Sequence, residues 1–283
     1  TDFAKHLTEF LSEYLPSQKN VSKNTIYSYR DTFKLLIKYC RETKNIPVER
    51  ITVSILSSDL IVGFLQWLET ERKCSISTRN QRLAVIHSFF RYVQGEEPSG
   101  LYPFQKVMAI PIKKATKKTV EHLTPTALKL LLEQPDKQTA KGRRDLTLLS
   151  VLYDTGARVQ ELIDLKVCDV ILDSPSVVIL HGKGNKSRRV PIVKNTCTLL
   201  QSYLVEHNLD QPWKNQNPIF SNNQQHKLTR EGVAYIITKY VVSARNSSTI
   251  VPPKVRPHIL RHSKAMHLLQ AGVNLIYIRD FLG

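Results

Sequence analysis

Apolar residues recur every three or four positions in four separate stretches, from the N-terminus to about residue 95. The stretches begin at Phe3, after a capping Ser22 or Asn24, at Asp59 and at Ser77. One-sided apolar stripes with this spacing are typical of amphipathic helices. Four of them, joined by short polar segments, predict a small helical bundle.

The fourth of these helices has two distinct faces. Phe89, Phe90 and Tyr92 are assigned to the core, because aromatic side chains at helical spacing bury a large apolar area. Arg79 and Arg82 are placed on the polar side, where they face either solvent or a binding partner.

The helical pattern resumes in the second half of the chain and is interrupted by one β signal. Thr124 followed by Pro125 predicts a helix start. A further helix is expected to run from near Arg143 to Gly156. The β-branched runs at residues 176–180 and 189–193 flank H-G-K-G-N-K-S-R, and this arrangement predicts a β-hairpin.

The chain closes with two predicted helices. Pro257 can occupy the first position of one helix, Gly272 suits its left-handed end, and Asn274 can cap the next. Ahead of them, helices are predicted over residues 197–207 and 230–245, the second with Thr229 as its cap.

These patterns predict a mainly α protein with a small β-hairpin or sheet and two domains. Residues 1–105 form the helical bundle, residues 106–120 form a linker, and residues 121–283 form the mixed α+β domain. The segment from Gly95 to Val120 is rich in proline and glycine, and five lysines without an acid follow Gln105. A basic linker of this kind can lie along a phosphate backbone or serve as a solvated tether.

The net charge of the chain indicates which class of partner it binds. Lys and Arg exceed Asp and Glu to give a formal net charge of +17. An excess of this size favours a polyanionic partner, with nucleic acid first. A membrane partner is not expected, because the sequence has neither a long apolar span nor a lipidation motif.

The four cysteines lie far apart and form no C-x-x-C pair, so the sequence predicts neither a zinc site nor a disulfide framework. Reduced thiols and the absence of a recognisable signal peptide favour a cytoplasmic protein.

Candidate catalytic side chains come from three places in the second half. In T-G-A-R-V-Q-E-L, Arg158 and Glu161 are three residues apart, so the carboxylate can orient the guanidinium. Lys183 lies at the start of the hairpin turn. In P-H-I-L-R-H, His258 and Arg261 share one helical face, which suits a phosphate whose charge grows during reaction.

The order and context of these pieces resemble the tyrosine recombinase (phage integrase) family. The matching segments are T-G-A-R-V-Q-E-L, G-K-G-N-K-S-R, P-H-I-L-R-H and H-L-L-Q-A-G-V-N-L-I-Y-I-R-D-F-L-G. The resemblance is closest from Thr124 to Gly283 and looser in the first 105 residues, which are similar to the SAM-like core-binding domain of that family. It is especially like the recombinases of bacterial mobile elements and their chromosome-resolving relatives.

The resemblance implies a role for each candidate. Arg158 and Arg261 would hold the non-bridging oxygens of the scissile phosphate. Lys183 would protonate the leaving 5′ oxygen, and His258 would transfer protons or hold the phosphate. Glu161 would orient Arg158, while neither a metal nor another cofactor is required.

In that family a tyrosine forms a 3′-phosphotyrosyl bond with the DNA. It lies shortly beyond the Leu-Gly seen here at Leu282 and Gly283, so we expect the nucleophile to lie beyond Gly283. Tyr277, which precedes this motif, is assigned to the core or the helix surface. The 283 residues alone are then expected to bind DNA without cutting it.

The resemblance also implies a clamp of two domains around double-stranded DNA, with a dimer on one site, a tetramer in synapsis and a location at the bacterial nucleoid. Basic side chains expected to contact the DNA are Arg79, Arg82, Lys106, Lys113, Lys114, Lys117, Lys118, Lys186, Arg188 and Arg230.

Other functions fit fewer residues. A non-catalytic regulator explains the two terminal helices, which resemble a helix-turn-helix, but not Arg158, Lys183 and His258. A type IB topoisomerase would share much of the phosphate chemistry. A metal hydrolase is disfavoured, because no H-E-x-x-H motif accompanies the histidines.

Overall fold

The computed structural model describes residues 1–97, 101–116, 120–182, 184 and 186–283. The chain forms two compact units, Thr1–Lys118 and Thr119–Gly283. The predicted mainly α fold with a small sheet is confirmed. No helix in the described ranges combines the length and the apolar character needed to span a bilayer.

The first unit is the predicted helical bundle. Ser22, Ser57 and Ser75 each accept a hydrogen bond from the N–H three residues on, and so fix the starts of three helices. Ser22 is therefore the cap of the second helix. The helices are α1 (Asp2–Glu9), continued by a π-helix (Phe10–Gln18), α2 (Lys23–Thr43), α3 (Ser58–Thr70), α4 (Ile76–Glu96) and α5 (Leu101–Met108).

An aromatic cluster fills the core of this unit. The ring of Phe89 lies 5.0 Å from that of Phe33 and 5.4 Å from that of Phe10, centroid to centroid. Phe90 and Tyr92 are also buried, so the assignment of all three α4 aromatics to the core is confirmed.

Helix α5 runs across the predicted boundary between the bundle, residues 1–105, and the linker, residues 106–120. Phe104, Val107 and Ile110 are buried against the other helices of the unit, so the chain stays folded past Met108. The apolar spacing at 104, 107 and 110 is helical, but the prolines and glycines on either side masked it.

The two arginines placed on the polar side of α4 are structural instead. Arg79 is 5% exposed; it donates to the Pro111 carbonyl at 3.1 Å and lies 3.6 Å from a Glu69 oxygen. Arg82 is half-buried and donates to the Ser28 carbonyl at 2.9 Å. Their prediction as DNA contacts overlooked neighbouring segments that cover this face.

The second unit contains α6 to α12 and a small sheet. The elements are α6 (Pro125–Leu132), α7 (Ala140–Thr155), α8 (Val159–Asp164), β1 (Val170–Ile171), β2 (Val177–His181), β3 (Ser187–Pro191), α9 (Lys194–Glu206), α10 (Arg230–Ser247), α11 (Pro257–Gln270) and α12 (Leu275–Leu282). Thr124, Thr229 and Asn274 cap their helices as predicted, and Pro257 takes the first position of α11.

The sheet is antiparallel with the order β1-β2-β3. The predicted hairpin is confirmed: β2 pairs with β3 from Val177↔Pro191 to His181↔Ser187. The two-residue strand β1 was not predicted, because it is too short to show an alternating pattern.

Helix α7 is the centre of the second unit. Most of its residues are buried, including the polar Arg144, Asp145 and Asp154. It ends at Gly156 as predicted, and this glycine has a left-handed conformation with φ of 57°. A Cβ at this position would lie 2.7 Å from Leu282, so the glycine also lets α12 pack closely.

Candidate active site

The site begins where α7 gives way to α8. Arg158 is the residue before α8, and Glu161 lies in the first turn of that helix. Glu161 is 4% exposed and accepts hydrogen bonds from the Arg158 main-chain N–H and from Arg158 Nη1, both at 2.8 Å. The predicted pairing of the two side chains is therefore present.

Glu161 also binds Arg188, which was expected to contact DNA. The Arg188 guanidinium donates to both carboxylate oxygens, at 3.0 Å from Nη1 and 2.8 Å from Nη2. Its side chain is 13% exposed and faces Glu161, and the expected DNA contact stays a prediction. The sequence did carry a signal: Arg188 alternates with the buried Val190 on β3 and therefore shares its inward face.

The charge of Glu161 is strongly stabilised. Burial alone would raise the pKa of this carboxyl, but the hydrogen bonds from Arg188 and from the main chain and side chain of Arg158 lower it to about 2. Glu161 is thus ionised at neutral pH and holds two guanidiniums in place.

Helix α11 supplies the second predicted pair. Arg261 is half-buried; Nη1 donates to the Gly156 carbonyl at 2.7 Å and Nη2 to the Leu282 carbonyl at 2.9 Å. His258 is exposed one turn earlier. Burial, followed by the charges of Arg158 and Arg188, lowers the pKa of Arg261 to about 10. The guanidinium remains charged at neutral pH in a strongly positive environment.

Three arginines converge on the last carbonyls of α12. Arg188 Nε donates to the Phe281 carbonyl at 3.0 Å. The Gly283 oxygen lies 2.7 Å from Arg158 Nη2 and 3.4 Å from Arg261 Nη2. Two guanidiniums from different helices are therefore close enough to share one oxygen. With three cations against the single carboxylate of Glu161, the arrangement can bind an anion.

The hairpin enters the same region. A Cβ at Gly182 would lie 3.3 Å from Glu161 Oε1, so the chain leaving β2 passes directly beside the carboxylate. The Gly182 N–H donates to the Lys186 carbonyl at 2.7 Å across the turn. Lys183, the predicted general acid, lies outside the described residues.

His262 is exposed at the edge of this group. The pKa of the His262 imidazole is lowered, mainly by partial burial of the ring and then by the charges of His258 and Arg261. Among the described residues, no cluster of three or more His, Cys, Asp or Glu side chains is placed to hold a metal ion.

The predicted DNA-contacting cations fall into three groups. Lys106, Lys114, Lys186 and Arg230 are exposed, with Arg230 Nε donating to Gln160 at 2.7 Å. Lys113 is bound to Glu69 at 2.8 Å. Lys117 and Lys118 lie outside the described residues.

Comparison with known proteins finds family matches in both units of the chain. Residues 109–283 match the phage integrase family, and residues 7–97 match the N-terminal SAM-like domain of phage integrases. A putative integrase/recombinase y4rC of Sinorhizobium fredii is 36% identical, with the match covering 98% of this chain and 82% of the relative. Tyrosine recombinase XerC of Herpetosiphon aurantiacus is 33% identical over 99% of this chain and 86% of its own length.

Solved structures share the fold. The XerH site-specific recombinase in a post-cleavage complex with its difH substrate has a TM-score of 0.73 at 22% identity, covering 94% of this chain and 74% of that one. The Tn1549 transposon integrase bound to transposon right end DNA also has a TM-score of 0.73, at 16% identity, with 98% and 90% covered.

Proposed function

Because the chain belongs to the phage integrase family and is a site-specific DNA recombinase, we propose that Arg158 and Arg261 hold the phosphate at which it cuts. The observation that carries the proposal is the single oxygen lying 2.7 Å from one guanidinium and 3.4 Å from the other. In this proposal, a non-bridging phosphate oxygen takes the position between the two guanidiniums that the Gly283 carbonyl holds here. Charge-assisted donors aimed at one oxygen stabilise the extra negative charge of a pentacoordinate phosphorus.

The remaining roles follow from the family resemblance. A tyrosine hydroxyl attacks phosphorus and gives its proton to His258 or to water, the new P–O bond to tyrosine forms and the bond to the 5′ oxygen breaks. Lys183 gives its proton to that 5′ oxygen, and His258 takes part in proton transfer or in holding the phosphate. Rejoining reverses these steps, so the phosphodiester energy is kept in the protein–DNA bond.

The nucleophile is proposed to be a tyrosine outside residues 1–283. In the described part of the second unit, no tyrosine hydroxyl is hydrogen-bonded to Arg158 or Arg261. The Tyr153 hydroxyl is bound to His267 at 2.8 Å, and Tyr277 is 71% exposed on α12.

The reaction class is tested with protein expressed from the complete reading frame. Incubation with a duplex carrying the end of its own genetic element should give a covalent protein–DNA adduct that survives denaturation and is removed by protease. Lys183→Ala should reduce adduct formation by about 10²- to 10⁴-fold, the range contributed by a general acid. Specific duplex binding without any adduct would favour the non-catalytic regulator. If the adduct forms and supercoiled DNA is relaxed, but no strands are exchanged between sites, the result would favour a topoisomerase.

A second prediction separates two neighbouring lysines. Lys114 is exposed, whereas Lys113 is held by Glu69. If Lys114 contacts a phosphate, Lys114→Gln should flatten the slope of log K against log salt by about 0.9, since one counterion fewer is released. Lys113→Gln is the matched control and should change the slope much less. If the parent, Lys114→Gln and Lys113→Gln gave equal slopes, this segment would have no role in contacting phosphates.

Assembly and location are part of the same proposal. The exchange of two strands requires two copies on each site and four in the synaptic complex. The bacterial sources of the relatives and the DNA substrate are consistent with a reaction in the cytoplasm, at the nucleoid.

A further inference from the structure

Helix α11 meets the last turn of α7 through three residues spaced three apart. Arg261 donates to the Gly156 carbonyl at 2.7 Å. Lys264 Nζ lies 2.9 Å from Asp154 Oδ1. His267 Nδ1 lies 2.8 Å from the Tyr153 hydroxyl, and its Nε2 lies 2.8 Å from the Leu123 carbonyl. Because the Leu123 carbonyl can only accept, Nε2 carries a proton, and in the neutral ring Nδ1 accepts from the Tyr153 hydroxyl.

The middle contact is an ion pair withdrawn from solvent. The side chains of Lys264 and Asp154 are 13% and 5% exposed. The ammonium also lies 5.3 Å from the centre of the Tyr153 ring and 5.6 Å from that of Phe281. Either charge alone would be unfavourable here, because burial disfavours an unpaired charge. Asp154 also lies in the last turn of α7, where a negative charge opposes the helix dipole.

Asp154 joins three parts of the site. Its second oxygen accepts the Val193 N–H at 2.8 Å, just beyond the strand that carries Arg188. Through Lys264 it holds α11, which carries Arg261. Through Phe281 the same lysine contacts α12, where the carbonyls bind the three arginines.

We propose that Lys264 is a positioning residue: its pairing with Asp154 fixes α11 so that the Arg261 guanidinium stays beside that of Arg158. The inference rests on the proposed function of the two arginines. In this proposal, Lys264 acts through Arg261 and does not contact DNA. A displacement of about 1 Å at a reacting group can cost on the order of 10²-fold in rate, so loss of the pair should slow the chemical step.

The test is a double-mutant cycle on adduct formation, measured in a single turnover at saturating DNA. Lys264→Met keeps most of the apolar stem and removes the charge. It should slow adduct formation at least tenfold in the parent and less than threefold in an Arg261→Lys background, where the precise guanidinium geometry is already lost. The dissociation constant for the duplex should stay within threefold. Asp154→Asn, measured in the same two backgrounds, should behave like Lys264→Met.

Lys129→Met is the matched control, because Lys129 is an exposed lysine of the same unit, and it should change nothing. A rate within threefold of the parent for Lys264→Met, or the same loss in both backgrounds, would overturn the proposal. If neither Lys264→Met nor Asp154→Asn folds, the pair is a stability element and the proposal also fails. A parent that forms no adduct would instead overturn the proposed function.

Discussion

Replacement of Arg261 by alanine is expected to slow covalent adduct formation by about 10²- to 10³-fold, the cost of removing one donor to a developing oxyanion. Nη2 of Arg261 and Nη2 of Arg158 lie 3.4 and 2.7 Å from the same oxygen, that of Gly283. The loss of either arginine therefore removes one of the two guanidiniums proposed to bind the phosphate. The effect should fall on the rate at saturating DNA, because many other cations contribute to duplex affinity.

The same variant should remain folded. Burial and two neighbouring guanidiniums lower the pKa of Arg261 to about 10, which means that its charge is less favourable in the folded chain than in the unfolded one. Arg143→Ala is the matched control, since Arg143 is paired with Glu206 on the surface of the same unit. A rate for Arg261→Ala equal to that of Arg143→Ala would remove Arg261 from the chemistry.

Replacement of Glu161 by glutamine is expected to cost about 3 kcal/mol of unfolding free energy at pH 7. The estimate follows from the pKa of the carboxyl, which is lowered from 4.5 to about 2, at about 1.4 kcal/mol for each unit. The amide would also point N–H groups at the guanidiniums of Arg158 and Arg188, which offer only donors. Hydrogen exchange of the α7 core amides measures the stability of this unit directly.

This difference should depend on pH in one direction. Because the pKa of Glu161 in the folded chain lies below its value in the unfolded chain, its contribution is present above about pH 4.5 and is lost as the pH falls towards 2. The stability gap between the parent and Glu161→Gln should therefore close over this range. Glu206→Gln, which removes an exposed pair, should cost less than about 1 kcal/mol. A pH-independent gap for Glu161→Gln would mean that packing, rather than charge, is lost.

Helix starts were the best predicted feature of the fold, because capping is local. Thr124, Thr229 and Asn274 each bind a main-chain N–H two or three residues away, and the chemistry of that contact is written in adjacent positions. Helix α5 was missed because the prolines and glycines around it masked the helical spacing of Phe104 and Val107, which are buried against other helices of the unit.

The arginines show the same limit within the site. Arg158 and Glu161 were paired correctly, since three residues separate them on one turn. The positions of Arg79 and Arg188 depended on side chains 10 and 27 residues away in sequence, Glu69 and Glu161. Net charge predicts that a basic chain meets a polyanion, but it does not distinguish arginines that face the partner from those that hold a buried carboxylate.

Lys264 was not singled out in the sequence for a related reason. Lys264 lies two residues after His262, and the residues next to it do not indicate a pairing with Asp154, which is 110 residues earlier in the sequence. Its position is clear only when α7 and α11 are seen to touch along three consecutive contacts.

The most direct measurement is a structure of the protein bound to a duplex of its own recombination site. The account predicts that the guanidiniums of Arg158 and Arg261 lie within about 3 Å of oxygens on one phosphate, with the Lys183 ammonium and the His258 ring beside the same group. If the two guanidiniums bind different phosphates, or if either faces away from the DNA, the account is contradicted.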